Sequence, residues 1–124
     1  MDKVISILYE ASNVINTSLD YSEFCYQTYI MTRMQQENIY VNREVICNFV
    51  VNKIRFGWGK IDILVRGEHE IVIIELKANV KGLYRAEKQV QRYMKHFDSN
   101  LPKVGLVFMF NSSDRQSMIK RIIK

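Results

Sequence analysis

The stretch Lys60-Ile61-Asp62-Ile63-Leu64-Val65-Arg66, followed by Gly67-Glu68-His69-Glu70 and then Ile71-Val72-Ile73-Ile74-Glu75-Leu76-Lys77, decides the fold. Two apolar runs rich in β-branched residues flank a short polar turn. That pattern predicts two paired antiparallel strands over residues 60–66 and 71–78. Residues two apart on a strand share a face, so Glu75 and Lys77 point together. Asp62, inside the first run, is the acid on the neighbouring strand that can reach them. Charges beside a core are expensive unless something pairs or uses them. Two carboxylates and an ammonium at the rim of a sheet suit a hard divalent cation and a water nucleophile. The plainer alternative makes Asp62 an edge-strand surface acid and Glu75–Lys77 a solvated charge pair. If the two acids share a site, one of their pKa values is expected to rise when no cation is bound.

Working outward from the hairpin, residues 3–15 place Val4, Ile7, Leu8, Ala11, Val14 and Ile15 on one helical stripe. Asn16-Thr17-Ser18 reads as a break, and a second helix is expected over residues 21–37 with Phe24, Cys25, Thr28 and Met31 as core positions. Residues 40–51 read as a strand, and Asn52-Lys53 as a turn or the middle of one long bent strand. Gly57-Trp58-Gly59 punctuates the approach to the strand at residue 60. Downstream, Leu83, Ala86, Val90, Tyr93, Met94 and Phe97 lie at helical spacing. Pro102 closes the next loop, and residues 104–110 are a fully apolar run expected to be a buried strand. Ser112, Ser113 or Asp114 can cap a last short helix carrying Met118, Ile119, Ile122 and Ile123. The order is α-α-β-β-β-α-β-α. It predicts a single α/β sandwich domain over residues 1–124, with a small mixed central sheet flanked by helices.

Composition narrows the function. The chain has 124 residues, about right for one core, and 48% of them are apolar. No run approaches the length of a membrane span, no secretory signal is legible, and Cys25 and Cys47 fit no metal-ligand spacing. Two reduced thiols in an intracellular protein, cytoplasmic or nuclear, are expected. The net charge of +5 is unevenly spread: residues 1–50 carry three basic and six acidic side chains, and residues 51–124 carry fifteen and seven. A basic half-chain around an acidic centre suggests a polyanionic substrate such as nucleic acid.

Other residues lie near that chemistry in the reading. Gln89 and Tyr93 are four apart on one helix face, and with Arg85 and His96 form a polar stripe that can hold a substrate phosphate or fix Lys77. An ordinary polar flank explains the stripe equally well. Glu23 can add a carboxylate to the site, although Asp20 with Glu23 three residues on is close to a capping box. Phe56 and Trp58, flanked by Arg55 and Lys60, can stack on a base or cover the edge of a core. His69 sits at the hairpin tip and is assigned no role.

Together these residues resemble the PD-(D/E)XK nuclease superfamily. The motif is Gly59-x-x-Asp62, a gap, then Glu75-Leu76-Lys77, then a helix with Gln89-x-x-x-Tyr93. The pattern is most similar to the superfamily branch named for a G-x-x-E-x-x-Y motif. Glu23-Phe24-Cys25-Tyr26 supplies its second half, Lys60 matches a basic position, and residues 103–111 resemble its last core strand. Asp20 stands where that branch has glycine. The resemblance covers residues 17–112 and implies a restriction-endonuclease-like core with a Mg²⁺ or Mn²⁺ site. By position, Asp62, Glu75 and the backbone carbonyl of Leu76 would hold the metal, and Lys77 would be the catalytic lysine. Glu23 would complete the site, with Gln89 and Tyr93 supporting it as in RecB-type exonucleases. No four-cysteine cluster is present, so no iron–sulfur centre is expected. The function expected is phosphodiester hydrolysis in DNA or RNA, with DNA favoured. A non-catalytic nucleic-acid-binding or protein-interaction module of the same fold is the alternative. A homodimer or a partner protein would enlarge the substrate surface of so small a chain.

Overall fold

A computed structural model of the protein describes residues 1–15, 19–112, 114 and 118–122. Among these, the chain runs α1 (Asp2–Val14), α2 (Glu23–Gln36), β1 (Val41–Val51), β2 (Ile54–Arg66), β3 (Ile71–Lys77), α3 (Leu83–His96), β4 (Lys103–Met109) and β5 (Ile119–Ile122). The strands form one sheet in the order β1-β2-β3-β4-β5. Only β3 and β4 are parallel, and α3 makes the crossover between them. The β2–β3 hairpin forms as expected, with Ile63 opposite Ile74 and Arg66 opposite Ile71.

The runs at residues 71–76 and 105–110 are buried throughout, because helices cover both faces of the sheet. On one side α1 and α2 bring Val4, Leu8, Tyr26 and Ile30 onto Val72, Ile74, Leu106 and Phe108. On the other, α3 brings Ala86, Val90 and Tyr93 onto Ile71, Ile73 and Val107. Helix α3 sits so close to β4 that a Cβ on Gly105 would lie 2.4 Å from Val90 Cγ1.

Four expectations are corrected. The last helix is instead the strand β5, paired antiparallel to β4 with Gly105 opposite Ile122 and Phe108 opposite Ile119. Without it, a fully apolar strand would present an open edge of unpaired backbone, so pairing outranks local helix propensity. The cap candidate Ser113 and the apolar Ile123 lie outside the described residues. Helix α2 starts at Glu23 and buries Tyr26, Gln27, Ile30 and Met34, while the expected core positions Phe24 and Thr28 are exposed, Cys25 is half-buried and Met31 packs half-buried against the core. Phe24 is 59% exposed, with the Arg43 guanidinium over its ring. The Asp20–Glu23 capping box does not form: the N-cap is Ser22, and Asp20 has φ +55°. Finally, β2 begins at Ile54, so Gly57-Trp58-Gly59 lies inside the strand rather than before it. Asn52 and Lys53, at φ +52° and +65°, make the two-residue turn joining β1 to β2.

Candidate active site

The site lies where the sheet forks. The β2–β3 ladder runs only from Arg66/Ile71 to Ile63/Ile74. One step further in the same register, Asp62 stands opposite Glu75. There β2 leaves with β1, while β3 continues beside β4, with Glu75 opposite Val107 and Lys77 opposite Met109. The Leu76 N–H, unused by a ladder partner on this side, donates to Asp62 Oδ2 at 2.8 Å. The Asp62 carbonyl accepts from Gln27 Nε2 of α2 at 2.8 Å.

Across from Asp62 on β1, Glu44 has φ +54°. This irregularity changes which residues face which core. Val41, Ile63 and Val65 belong to the α1/α2 side, whereas Cys47 and Ile61 belong to the α3 side. Both strands of the hairpin switch faces at the Glu44/Asp62 level, and the switch opens the fork.

Glu75 is 4% exposed, and its Oε1 has no hydrogen-bond partner. Burial, then the nearby Asp62 charge and a hydrogen bond with the Asp62 carboxyl, push its pKa up to about 9. Burial also raises Asp62, opposed by the Leu76 N–H and by the hydrogen bond with Glu75. The two carboxyls therefore resist ionising together, and Glu75 is the one that keeps its proton more tightly. Lys77, half-buried, lowers both through its charge. From the other side, Glu23 at the start of α2 faces the same group. Its pKa is raised by burial and by the charges of Asp62 and Glu44, and lowered by Lys77.

Tyr93 is fully buried, and its hydroxyl donates to the Lys60 carbonyl and accepts from Gln89 Nε2, each at 2.8 Å. Burial, followed by the Glu75 charge, pushes the phenol up to about 12. The ring lies against Gly59, where a Cβ would be 2.7 Å from the hydroxyl oxygen. The polar stripe on α3 thus divides. Gln89 and Tyr93 clamp β2 two residues before Asp62, Arg85 is exposed, and His96 accepts the Val50 N–H at Nδ1, 3.3 Å away. Lys60 is also exposed.

The structure brings Asp62, Glu75, Lys77 and Glu23 together and adds two residues that sequence reading missed. Gln27, 3% exposed, holds the Asp62 carbonyl and reaches Glu44 Oε1 at 3.5 Å. A buried glutamine on the inward face of α2 is a detectable signal once the helix is phased on Tyr26, Ile30 and Met34. Glu44 had no such signal, since its role depends on a backbone conformation.

A sequence profile of the PD-(D/E)XK nuclease superfamily matches residues 1–122. The chain belongs to the PD-(D/E)XK nuclease superfamily. Its mixed five-stranded sheet, counted among the described residues, is consistent with the restriction-endonuclease-like fold of that group. No curated protein and no solved structure gives a significant match.

PD-(D/E)XK nucleases generally use divalent metals such as Mg²⁺, and two observations fit the residues of this fork to such an ion. The buried Glu75 Oε1 lacks a partner, and the Asp62 carboxyl beside Glu75 is too close for the two to ionise together readily. Both donors are hard oxygens, as Mg²⁺ and Mn²⁺ prefer. Among the described residues, no group of three or more His, Cys, Asp or Glu side chains is positioned to hold a metal. The fit rests on the pair, with backbone and water left to complete the shell. Among the described residues no helix is long and apolar enough to cross a membrane.

Proposed function

We propose that this PD-(D/E)XK protein is a Mg²⁺- or Mn²⁺-dependent phosphodiesterase acting on nucleic acid, with DNA the favoured substrate. In this reading Asp62, Glu75 and the Leu76 carbonyl hold the ion. When bound, the ion lowers the pKa of a water and stabilises charge on the phosphate. Lys77 shares the face of Glu75 and orients the attacking water. Glu23, which meets the site from α2, positions that water or accepts its proton. Lys60 and Arg85 are exposed cations that can hold flanking phosphates. Gln89 and Tyr93 act by fixing β2 and hence Asp62, and contribute to substrate binding only through that strand. Unpaired Cys25 and Cys47 accord with an intracellular setting and a single domain without disulfides.

The observation that carries the reading is the carboxyl pair at the fork: buried Glu75 with an unpartnered Oε1, half-buried Asp62 held by the Leu76 N–H, and Lys77 alongside. A purely structural pair of this kind would be an expense with no return. The G-x-x-E-x-x-Y branch gains support from Asp20, which stands at the branch's glycine position. Its φ of +55° is a conformation that glycine adopts freely. The test is incubation of labelled single- and double-stranded DNA and RNA with Mg²⁺ or Mn²⁺. Hydrolysis lost in Asp62→Ala and Glu75→Ala is expected, and hydrolysis unchanged in both would sink the proposal.

The second reading is a non-catalytic binding module of the same fold, acting alone, as a homodimer or with a partner protein. Its motivating observation is the lack of a third acid within ligating reach of the pair, among the described residues. Nucleic-acid affinity without carboxylate-dependent metal binding would favour it.

A further inference from the structure

The β1–β2 hairpin carries more exposed apolar surface than its place in the core explains. Ile46, Val50, Val51, Ile54, Phe56 and Trp58 are each between 45% and 64% exposed. Cys47 and Ile61 pack into the α3-side core with Phe49 against them, and Gly57 and Gly59 pair with Phe49 and Cys47. Side chains alternate along a strand, so Ile46, Asn48, Trp58 and Lys60 face away from α3. All four are exposed.

The back of this ribbon is braced. The Tyr93 ring lies on Gly59, and its hydroxyl holds the Lys60 carbonyl. A Cβ on Gly57 would lie 3.2 Å from Phe49 Cδ2, so the Phe49 ring edge also lies against the strand. Phe49 in turn packs on His96, ring centroids 5.2 Å apart. The two glycines flanking Trp58 therefore let aromatic rings support the strand directly behind it. Trp58 projects from a stiff platform rather than from a loop.

Charge decides what covers the outer face. Residues 45–61 contain Lys53, Arg55 and Lys60 and no acid. A second copy of this ribbon would set like charges together, whereas a polyanion would complement them. The ribbon is also continuous with the fork. Lys60 and Trp58 precede Asp62 by two and four residues, about 7 and about 13 Å along the strand.

We infer that the outer face of the β1–β2 hairpin is a stacking platform for unpaired nucleotides of a single-stranded nucleic acid, with Trp58 under the base and Lys60 at the adjoining phosphate. This rests on the nucleic-acid part of the proposed function and specifies its substrate class. Along its length only a single strand offers whole base π-faces, a duplex offering them at its two ends alone, and stacking of this kind is tolerant of sequence. Away from its ends a duplex would meet the platform with its backbone and groove edges.

Trp58 is the one tryptophan of the chain, so its fluorescence reports the platform alone. The probe is an oligothymidylate of about 16 nucleotides, added in the presence of a chelator so that nothing is cut. Saturable quenching is expected, and a blunt duplex of equal length should leave the emission nearly unchanged. By anisotropy, Trp58→Ala should weaken single-strand binding about tenfold and Trp58→Phe much less. Lys60→Ala should reduce the salt slope by about one. Circular dichroism of each variant verifies folding, which truncation of an exposed side chain should leave intact. Three results would overturn the inference: unaltered binding in Trp58→Ala, equal quenching by duplex, or emission that depends on protein concentration and ignores the oligonucleotide. The last would assign the face to a second copy. Failure of the nuclease reading looks different: quenching and the Trp58→Ala loss would persist, while wild-type protein with Mg²⁺ or Mn²⁺ would cut nothing.

Discussion

Glu75 shows how one position can be unfavourable for folding and still be built into the fold. Its ordinary pKa is near 4.5, and burial beside Asp62 pushes it to about 9. The folded state thus holds this proton more tightly than the unfolded chain. The resulting stability is fully present below about pH 4.5 and is lost as pH rises through about 9. Metal-free protein should therefore melt at progressively lower temperature across that window, by on the order of a few kcal/mol in all. Glu75→Gln should flatten the dependence and melt higher than wild type near pH 8 in chelator, as thermal denaturation against pH would show. A melting temperature independent of pH in wild type would contradict the tightly held proton. Gly59 makes a second prediction at this scale. The Cβ of Gly59→Ala would meet the Tyr93 hydroxyl, so the variant should lose about 1–3 kcal/mol in urea unfolding. No loss would mean that Tyr93 does not rest on β2 in solution.

At the scale of elements, the sequence showed most where chemistry and periodicity coincide. The β2–β3 hairpin, the amphipathic α3 and the apolar β4 are legible because each has a strong single period and clear turn residues. The Asp62/Glu75/Lys77 grouping is legible for the same reason: it interrupts apolar runs. What escaped depends on tertiary context. The period of α2 is ambiguous, since Phe24 and Met31 read as core while Gln27 reads as surface, and the packing reverses Phe24 and Gln27. The strand β5 has no strand signature of its own and exists to cover the open edge of β4. The face switch at Glu44 is a backbone event that no side-chain pattern encodes. Gln27 provides the test for this scale. It donates to the Asp62 carbonyl, so Gln27→Leu would leave that acceptor unpaired inside the protein. A loss of about 1–3 kcal/mol is expected, with Gln27→Glu no better. Equal stability of Gln27→Leu and wild type would show that α2 does not hold the fork.

For the molecule as a whole, charge and shape are divided between the halves of the chain. The first fifty residues supply α1, α2 and β1 and carry −3. The remainder supplies the fork and most of the outer hairpin and carries +8. On the proposed function, a basic surface around the acidic pair would draw in a polyanion and a cation together. Association with nucleic acid should accordingly weaken steeply with salt, and a salt-independent affinity would remove the electrostatic basis of the proposed substrate.

On the proposed function, Asp62 and Glu75 give up a proton when they take a divalent ion. Calorimetric titration of Mn²⁺ into wild type and Glu75→Gln, near pH 6 and near pH 8, measures it directly. Binding in wild type should tighten at the higher pH, with proton release visible as a buffer-dependent heat, and should be lost in Glu75→Gln. Binding of equal strength in the two proteins, or in wild type at the two pH values, would contradict the account.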